Sequence, residues 1–195
     1  MGHTYFNGKT WADISREERL FCAHLYFAIS KDIKSFVRVV NTQNPELKLD
    51  ENVNWEVGYE VCFYRDYYYS FKQTSIKNSG YSQKRTFDLC LFSENAIVII
   101  EAKSDQPFEE TQIKDFVKDR ADIRRILNKG DDFRVVLLAL ASKQYFDNYK
   151  KYSQQKGPYS VAQAFNGQVT WSALNERYAD GIFLSAENTY KRKRG

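Results

Sequence analysis

The chain has 195 residues, of which 43% are hydrophobic and 16% aromatic, and its net charge is +4. This length suits one domain with a full core, and the apolar and aromatic content excludes an intrinsically disordered chain. No apolar run approaches the ~18 residues of a membrane span, and no apolar segment at the N-terminus predicts a signal peptide. The mild positive charge permits a nucleic-acid partner but does not require one.

Three cysteines, Cys22, Cys62 and Cys90, lie within or beside apolar segments. An odd count without CxxC spacing predicts reduced, buried thiols in the cytoplasm. His3 and His24 have no cysteine at ligand spacing, which argues against a zinc site. We therefore expect a cytoplasmic protein without a membrane partner.

The first half of the chain reads as one long helical pattern followed by strands. A helix is expected to start within 11–15 and to run to about Val40, either continuously or with one break. Asn44-Pro45 then prevents its continuation. A strand is predicted over 55–64. The aromatic stretch 67–71 either extends that strand or begins another.

The second half alternates strands and helices. We predict strands over 87–92, 96–102, 133–141 and 181–184, and helices over 109–128, 142–152, 160–165 and 170–178. Gly157-Pro158 is a predicted break. These elements form one domain over 1–195, with a core of about 11–141, a C-terminal extension over 142–190 and a basic tail over 191–195.

A hairpin joins the first two of these strands. If the turn is the two-residue Glu94-Asn95, Ser93 pairs with Ala96, and counting outward places Asp88 opposite Glu101. Cross-strand partners lie roughly 5 Å apart at Cβ and share a face. Lys103 lies two residues beyond Glu101 and shares that face as well.

Two facing carboxylates repel each other unless a divalent cation lies between them. Mg²⁺ is held by one or two carboxylates together with substrate phosphate, and a lysine can neutralise charge that grows on that phosphate. The three side chains therefore indicate a metal-dependent phosphodiesterase site. The competing interpretation makes Asp88 a strand-edge charge and Glu101 and Lys103 a solvated strand end. In a protein-interaction or structural domain, Asp88 and Lys103 would form a simple salt bridge.

Asp88, twelve intervening residues and then Glu101-Ala102-Lys103 resemble the signature of the PD-(D/E)XK nuclease superfamily. The resemblance covers the hairpin and its flanking helices, about half of the chain, and Phe87 departs from it where the family has proline. It implies an α/β fold, a three-layer α/β/α restriction endonuclease-like core in the order α-β-β-β-α-β around a central mixed sheet. It further implies a DNA endonuclease that uses Mg²⁺, with Mn²⁺ as a substitute. The carbonyl of Ala102 would be a further metal ligand.

That family often takes another acidic residue from its first helix, and Glu18 is the candidate here. Helical spacing places Glu18 in the middle of the apolar face and Glu17 at its edge. A carboxylate on a core-facing stripe is costly unless it is paired or bound to a metal. The alternative is a capping box, with Ser15 as N-cap and Glu18 at the third helical position.

Gln112, followed four residues later by Phe116, resembles the QxxxY element of RecB-like members, with phenylalanine in place of tyrosine. Such a glutamine could orient Lys103 or contact the scissile phosphate. An ordinary polar residue in the first turn of a helix is the alternative.

Cations and aromatic residues alternate between 65 and 85. Cations contact phosphates, and exposed aromatic rings stack on unpaired bases. We expect four cations of this segment to line a nucleic-acid groove: Lys72, Lys77, Lys84 and Arg85.

The sequence therefore predicts a divalent-metal-dependent DNA endonuclease. The alternative is a catalytically inactive nucleic-acid-binding or protein-interaction module on the same fold. DNA rather than RNA, the specificity and a homodimer are left open.

Overall fold

The structure is a computed structural model that describes residues 7–72, 76–130, 132–153 and 164–192. Its elements in chain order are α1 (Trp11–Ile14), α2 (Glu18–Lys31), α3 (Ile33–Gln43), β1 (Glu56–Val61), α4 (Phe63–Tyr67), a π-helical turn (Tyr68–Lys72), a 3₁₀ turn (Ile76–Asn78), β2 (Phe87–Phe92), β3 (Ala96–Ala102), α5 (Glu110–Leu127), β4 (Arg134–Ala141), α6 (Lys143–Ser153), β5 (Gly167–Thr170), α7 (Trp171–Tyr178) and α8 (Gly181–Arg192). The fold is mixed α/β. No helix within the described ranges has the length and apolar character needed to cross a bilayer.

One mixed sheet of five strands organises the molecule, in the order β1-β2-β3-β4-β5. The first three strands are antiparallel neighbours, whereas β4 is parallel to both β3 and β5. Helix α5 connects β3 to the parallel strand β4, as parallel pairing requires a long crossover. All residues of β3, and all of β4 after Arg134, are buried, which explains their near-continuous apolar sequences.

Alternate residues of the central strands enter two separate apolar clusters. In β4, Val136, Leu138 and Leu140 pack with α2, α3, α7 and α8, whereas Val135 and Leu137 pack with α4, α5 and α6. This alternation follows from the period of two in a strand. Helices therefore cover both faces of the sheet.

The N-terminal helical region consists of three helices, α1, α2 and α3, whereas one long helix, continuous or broken once, was expected. Thr10 caps α1 through a capping box with Asp13. Asp32 separates α2 from α3, because its carboxylate accepts the N–H of Ser35 and its backbone leaves the helical region. Polar residues that compete for backbone hydrogen bonds favour such boundaries.

The prediction of strand structure over 67–71 is wrong. This segment is helical and ends in the π-helical turn Tyr68–Lys72. Rings four residues apart contact each other, Phe63 with Tyr67 at 5.7 Å and Tyr67 with Phe71 at 5.0 Å between centroids. These contacts outweigh the preference of aromatic residues for strands.

The strand predicted over 181–184 is also wrong, since these residues begin α8. Ile182, Phe183 and Ala186 recur at helical spacing and are buried against α2 and α7. The fifth strand is instead the four-residue β5, which is too short for a clear sequence pattern. The predicted break at 157–158 and most of the helix predicted over 160–165 lie outside the described residues, as does the tail beyond Arg192.

The three cysteines are free thiols, as predicted. Cys22 and Cys90 are buried, whereas Cys62 is half-buried. Burial raises the pKa of the Cys22 thiol and of the Cys90 thiol well above the usual value, so both thiols are unreactive.

Candidate active site

The hairpin of β2 and β3 has the predicted register. Leu89 pairs with Ile100, and the turn is closed by the N–H of Ser93, which donates to the Ala96 carbonyl at 2.9 Å. One further step along the ladder sets Asp88 across from Glu101, because each step outward moves both strands by one residue. The two carboxylates therefore share one face of the sheet at the carboxyl end of β3.

Lys103 follows β3 directly and turns its ammonium back toward Glu101. Its Nζ lies 2.9 Å from Glu101 Oε1. Both residues are buried, Glu101 at 5% and Lys103 at 7% exposure. The interpretation of this strand end as solvated charge is therefore wrong, and the pair that forms is Lys103 with Glu101.

Glu18 approaches this pair from α2. Its Oε1 lies 3.3 Å from Lys103 Nζ, and its Oε2 accepts the backbone N–H of Ser104 at 3.1 Å. The capping-box alternative is wrong, because α2 begins at Glu18 itself and has no side-chain cap. Ser15 Oγ accepts the N–H of Glu17 instead, and the Glu17 side chain is exposed. Of the two glutamates, only Glu18 joins the network.

Gln112 completes the network from the first turn of α5. Its Nε2 donates to Glu101 Oε1 at 2.5 Å, so the same carboxylate oxygen accepts from both Lys103 and Gln112. The amide contacts Glu101 rather than Lys103. Phe116, four residues later, is fully buried, which is consistent with a hydrophobic role for the position that carries tyrosine in the QxxxY element.

Asp88 is held by the backbone of the neighbouring strand. Its Oδ2 accepts the N–H of Ala102 at 2.8 Å. Ala102 is fully buried at the end of β3 and lies between Glu101 and Lys103 in the sequence.

Burial shifts the acid–base chemistry of this group. It is the main cause that raises the pKa of Glu101 to about 8, and the charge of Asp88 adds to it while Lys103 opposes it. Burial likewise raises the pKa of Asp88, against the hydrogen bond from Ala102 and the charge of Lys103. It also raises the pKa of Glu18. All three carboxylates therefore hold protons more tightly than solvated carboxylates do.

Lys103 behaves in the opposite way. Burial alone would lower the pKa of its ammonium, but the charges of Glu101 and Glu18 outweigh burial and raise that pKa above its usual value. Lys103 is thus a permanent cation near neutral pH. Near neutral pH the raised pKa of Glu101 keeps that carboxyl largely protonated in the metal-free protein, so a cation that binds there releases a proton.

The network opens into a cleft of about 650 Å³. Its lining includes Glu18, Lys103 and Gln112. Ionisable side chains of the lining comprise five carboxylates and two cations: Glu17, Glu18, Asp105, Glu109, Asp115, Arg16 and Lys103. A phosphodiester that enters this cleft meets a net negative charge, so a counter-cation would assist its binding.

The donor set suits a hard divalent cation. Asp88 and Glu101 offer carboxylate oxygens on one face, and Ala102, the residue after Glu101, offers a backbone carbonyl. Within the described part of the chain, no group of three or more His, Cys, Asp or Glu side chains has a geometry that could hold a metal ion. Two carboxylates with water and substrate phosphate are the ligands that Mg²⁺ usually takes, so the residues fit Mg²⁺ better than zinc.

The cations predicted to line a groove do not line this cleft. Lys72, Lys77 and Lys84 are exposed. Arg85 makes contacts within the protein: its Nη2 lies 2.7 Å from the buried Asp119 and its guanidinium covers the Phe116 ring at 4.3 Å. The ion pair and the ring contact assign Arg85 to the packing of α5.

Two residues of the site were not predicted. Trp171, fully buried at the start of α7, donates its indole N–H to the Lys103 carbonyl at 3.1 Å. Glu60 of β1 lies across from Asp88 by the register of neighbouring pairs, and its charge adds to the rise in the pKa of Asp88. The backbone of Glu60 is left-handed, with φ of 50°, a strained conformation that often occurs at functional sites.

Comparison of the chain with protein-family models, with curated proteins and with solved structures found no match.

Proposed function

We propose that the protein is a Mg²⁺-dependent nuclease that hydrolyses phosphodiester bonds of DNA, built on a three-layer restriction endonuclease-like core. The observation that carries this proposal is the convergence of Asp88, Glu101, Lys103, Glu18 and Gln112 at the carboxyl end of β3. These residues come from four different elements of the chain. Glu18, Lys103 and Gln112 line an open cleft, and Glu101 and Asp88 lie behind them in the same network. The carboxyl ends of strands are where α/β folds place their ligands.

In this proposal Asp88 and Glu101, with the Ala102 carbonyl, hold the ion. When bound, Mg²⁺ supplies Lewis-acid stabilisation of the charge that develops on the phosphate. Mn²⁺ is expected to substitute, because it takes the same oxygen ligands.

The protein side chains then have separate tasks. Lys103 is a permanent cation and binds a phosphate oxygen, which makes it a charge stabiliser rather than a general base. Gln112 orients the Glu101 carboxylate through its amide. Glu18 holds Lys103 and the Ser104 backbone together, so it positions the ammonium at the mouth of the cleft.

Incubation of the purified protein with supercoiled plasmid and with linear single strands, in Mg²⁺, Mn²⁺ or EDTA, tests the proposal. We expect cleavage with either ion and none in EDTA. Lys103→Met serves as a matched inactive variant, because methionine fills a similar volume without the charge. Cleavage that persists in Lys103→Met would come from a contaminant or another site.

The same experiment separates the nuclease from an inactive binding module. A binding module would retain DNA in EDTA and in Mg²⁺ alike and would leave the plasmid intact. The acidic side chains around Lys103 favour the nuclease, since a binding module has no need for carboxylates that repel phosphate when they are ionised.

A further inference from the structure

Exposed aromatic rings project from the π-helical turn Tyr68–Lys72. Phe71 is 72% exposed and Tyr69 is 83% exposed. A single exposed aromatic side chain is ordinary at a protein surface, but the Phe71 ring is in addition packed on another ring, that of Tyr67. π-helical turns are rare and occur frequently at functional sites.

Phe71 is the outer end of a column of three rings. The column starts at Phe63, which is 8% exposed in the apolar cluster, and passes through Tyr67 to Phe71. Phe63 and Tyr67 are stacked at an interplanar angle of 17°, and Phe71 is tilted by 38° on Tyr67. Tyr67 is fixed in turn by its hydroxyl, which donates to the Ile126 carbonyl of α5 at 3.2 Å. The Phe71 ring therefore packs on Tyr67, which is itself held in place by Phe63 and by the Ile126 carbonyl.

Helix α5 links this aromatic column to the candidate active site. Gln112, Asp115, Asp119 and Ile126 lie along one stripe of the helix, at spacings of three, four and seven residues. Gln112 contacts Glu101, whereas Ile126 contacts Tyr67. The distance along the helix between these two contacts is about 20 Å.

The surface along this stripe is continuous. Asp115 lines the active-site cleft and also a neighbouring pocket of about 150 Å³. That pocket includes Tyr81 and Lys118. The Tyr81 ring contacts Tyr68, next to the column, at 5.8 Å between centroids.

Cations accompany the rings. Lys72 directly follows Phe71 and is exposed. Lys118 is also exposed and lines the pocket that includes Tyr81. Lysine is depleted at the centres of protein–protein interfaces, whereas aromatic rings beside cations are typical of surfaces that bind single-stranded nucleic acid. The chemistry of this surface therefore favours a nucleic acid over a second copy of the chain.

We propose that Phe71 stacks on an unpaired base of the substrate, so that the preferred substrate carries a single-stranded segment near the C-terminal end of α5, whereas the scissile phosphate lies near the N-terminal end of that helix. A base on the open face of Phe71 extends the column by a fourth ring. Lys72, the next residue, contacts the neighbouring phosphate. This inference rests on the proposed nuclease function, since the nuclease site defines the strand that is bound.

Binding in EDTA tests this inference separately from cleavage. Fluorescence anisotropy would compare a labelled oligothymidine of about 15 nucleotides with a duplex of equal length. We expect the wild-type protein to prefer the single strand. Phe71→Ala should weaken single-strand binding about fivefold or more, whereas Phe71→Trp should restore it, because stacking requires only an aromatic face.

Phe27→Ala is the matched control. Phe27 is 62% exposed and lies on α2, which packs on the other face of the sheet. Its removal should leave single-strand affinity unchanged. Equal affinity of Phe71→Ala and wild type would overturn the inference, and so would equal losses in Phe71→Ala and Phe27→Ala.

Two further outcomes separate this inference from the proposed function. Plasmid cleavage with no effect of Phe71→Ala on single-strand affinity would leave the nuclease standing and reject the base contact. Loss of single-strand binding in Phe71→Ala without any cleavage by the wild type would support the base contact and reject the nuclease.

A dimer that Phe71→Ala converts to monomer in sedimentation would identify the ring as a self-association contact and overturn the inference.

Discussion

The Asp88 carboxylate accepts the backbone N–H of Ala102 at 2.8 Å, across the end of the β2–β3 hairpin. This bond has two consequences. It satisfies a donor at the end of a buried strand, where an unpaired N–H would be costly. It also fixes the carboxylate beside Glu101, so that structure and proposed chemistry depend on the same side chain.

Asp88→Asn separates these two roles. The asparagine Oδ1 can still accept the Ala102 N–H, but the charge is lost. We expect plasmid nicking in Mg²⁺ to be abolished, while the melting temperature in EDTA stays equal or rises because a repelling charge has gone. Asp88→Ala should lose activity too and in addition cost about 1 kcal/mol of unfolding free energy. Nicking by Asp88→Asn at the parent rate would reduce Asp88 to a structural residue.

Divalent cations should stabilise the folded protein. An ion that binds only the folded state raises the melting temperature in proportion to the logarithm of its concentration above the dissociation constant. We expect Mg²⁺ and Mn²⁺ to raise the melting temperature of the wild type and to have much less effect on Glu101→Gln. This readout needs no DNA. A shift of equal size in both proteins would show that the ion binds elsewhere.

The metal-free protein should lose stability as the pH rises. Burial, together with the Asp88 charge, raises the pKa of Glu101 from its usual 4.5 to about 8 in the folded chain. Between these values the folded state keeps a proton that the unfolded state has released, so the free energy of unfolding falls as pH increases through this window. Urea unfolding in EDTA from pH ~5 to pH ~8 would measure the slope.

Glu101→Gln provides the control for that slope, because glutamine does not titrate. The variant should show a flatter pH dependence than the wild type over the same range. Identical slopes in the two proteins would place the titrating group outside this site.

Trp171 is expected to position Lys103 through the backbone. Trp171→Phe keeps a large ring between Phe21 and Phe183, which pack against the indole at 6.0 and 6.2 Å between centroids, but it removes the N–H donor to the Lys103 carbonyl. We expect kcat for cleavage to fall more than KM rises, with a loss of unfolding free energy of about 1 to 3 kcal/mol for the unpaired buried carbonyl and the reduced volume.

A merely structural role predicts a different pattern for Trp171→Phe. Stability would fall, but the kcat of the protein that remains folded would match the parent. Unfolding curves and single-turnover kinetics on the same preparation distinguish the two.

The sequence predicted the part of the site that lies on the β2–β3 hairpin. It did not predict the contacts between residues that are far apart in the sequence. The hairpin register depends on a short turn and on a period of two, both of which can be read within the segment from Asp88 to Lys103. The contact of Trp171 with Lys103 spans 68 residues, and no local pattern reports it. In the same way, a carboxylate at Glu18 fits either a cap or a distant partner until the position of Lys103 is known.

The errors in the predicted secondary structure have the same origin. The aromatic residues from Phe63 to Phe71 satisfy strand propensity one by one, but their contacts at i and i+4 require a helix. The short apolar run that begins at Gly181 also suits a strand by propensity, and only its burial between α2 and α7 selects the helix. Tertiary packing thus determined the secondary structure of the segments in which local preferences were weak or conflicting.

The two adjacent glutamates at the start of α2 provide the last prediction. Glu18 binds Lys103 and the Ser104 N–H, whereas Glu17 is exposed and only its backbone caps the helix. We expect Glu18→Gln to lower the rate of Mg²⁺-dependent cleavage, because glutamine can still accept the Ser104 N–H but no longer holds the ammonium by charge. Its effect on stability should be small, because burial raises the pKa of Glu18 and so disfavours its charged form.

Glu17→Gln is the matched control one residue away, with the same change of charge at the same helix terminus. It alters the interaction with the helix dipole as much as Glu18→Gln does, but it leaves the network untouched. We expect cleavage at the parental rate or faster for Glu17→Gln, because Glu17 lines the cleft and its charge opposes the entry of a phosphodiester. Equal losses in the two variants would mean that the helix terminus responds to charge alone, and the direct contact between Glu18 and Lys103 would then have no part in cleavage.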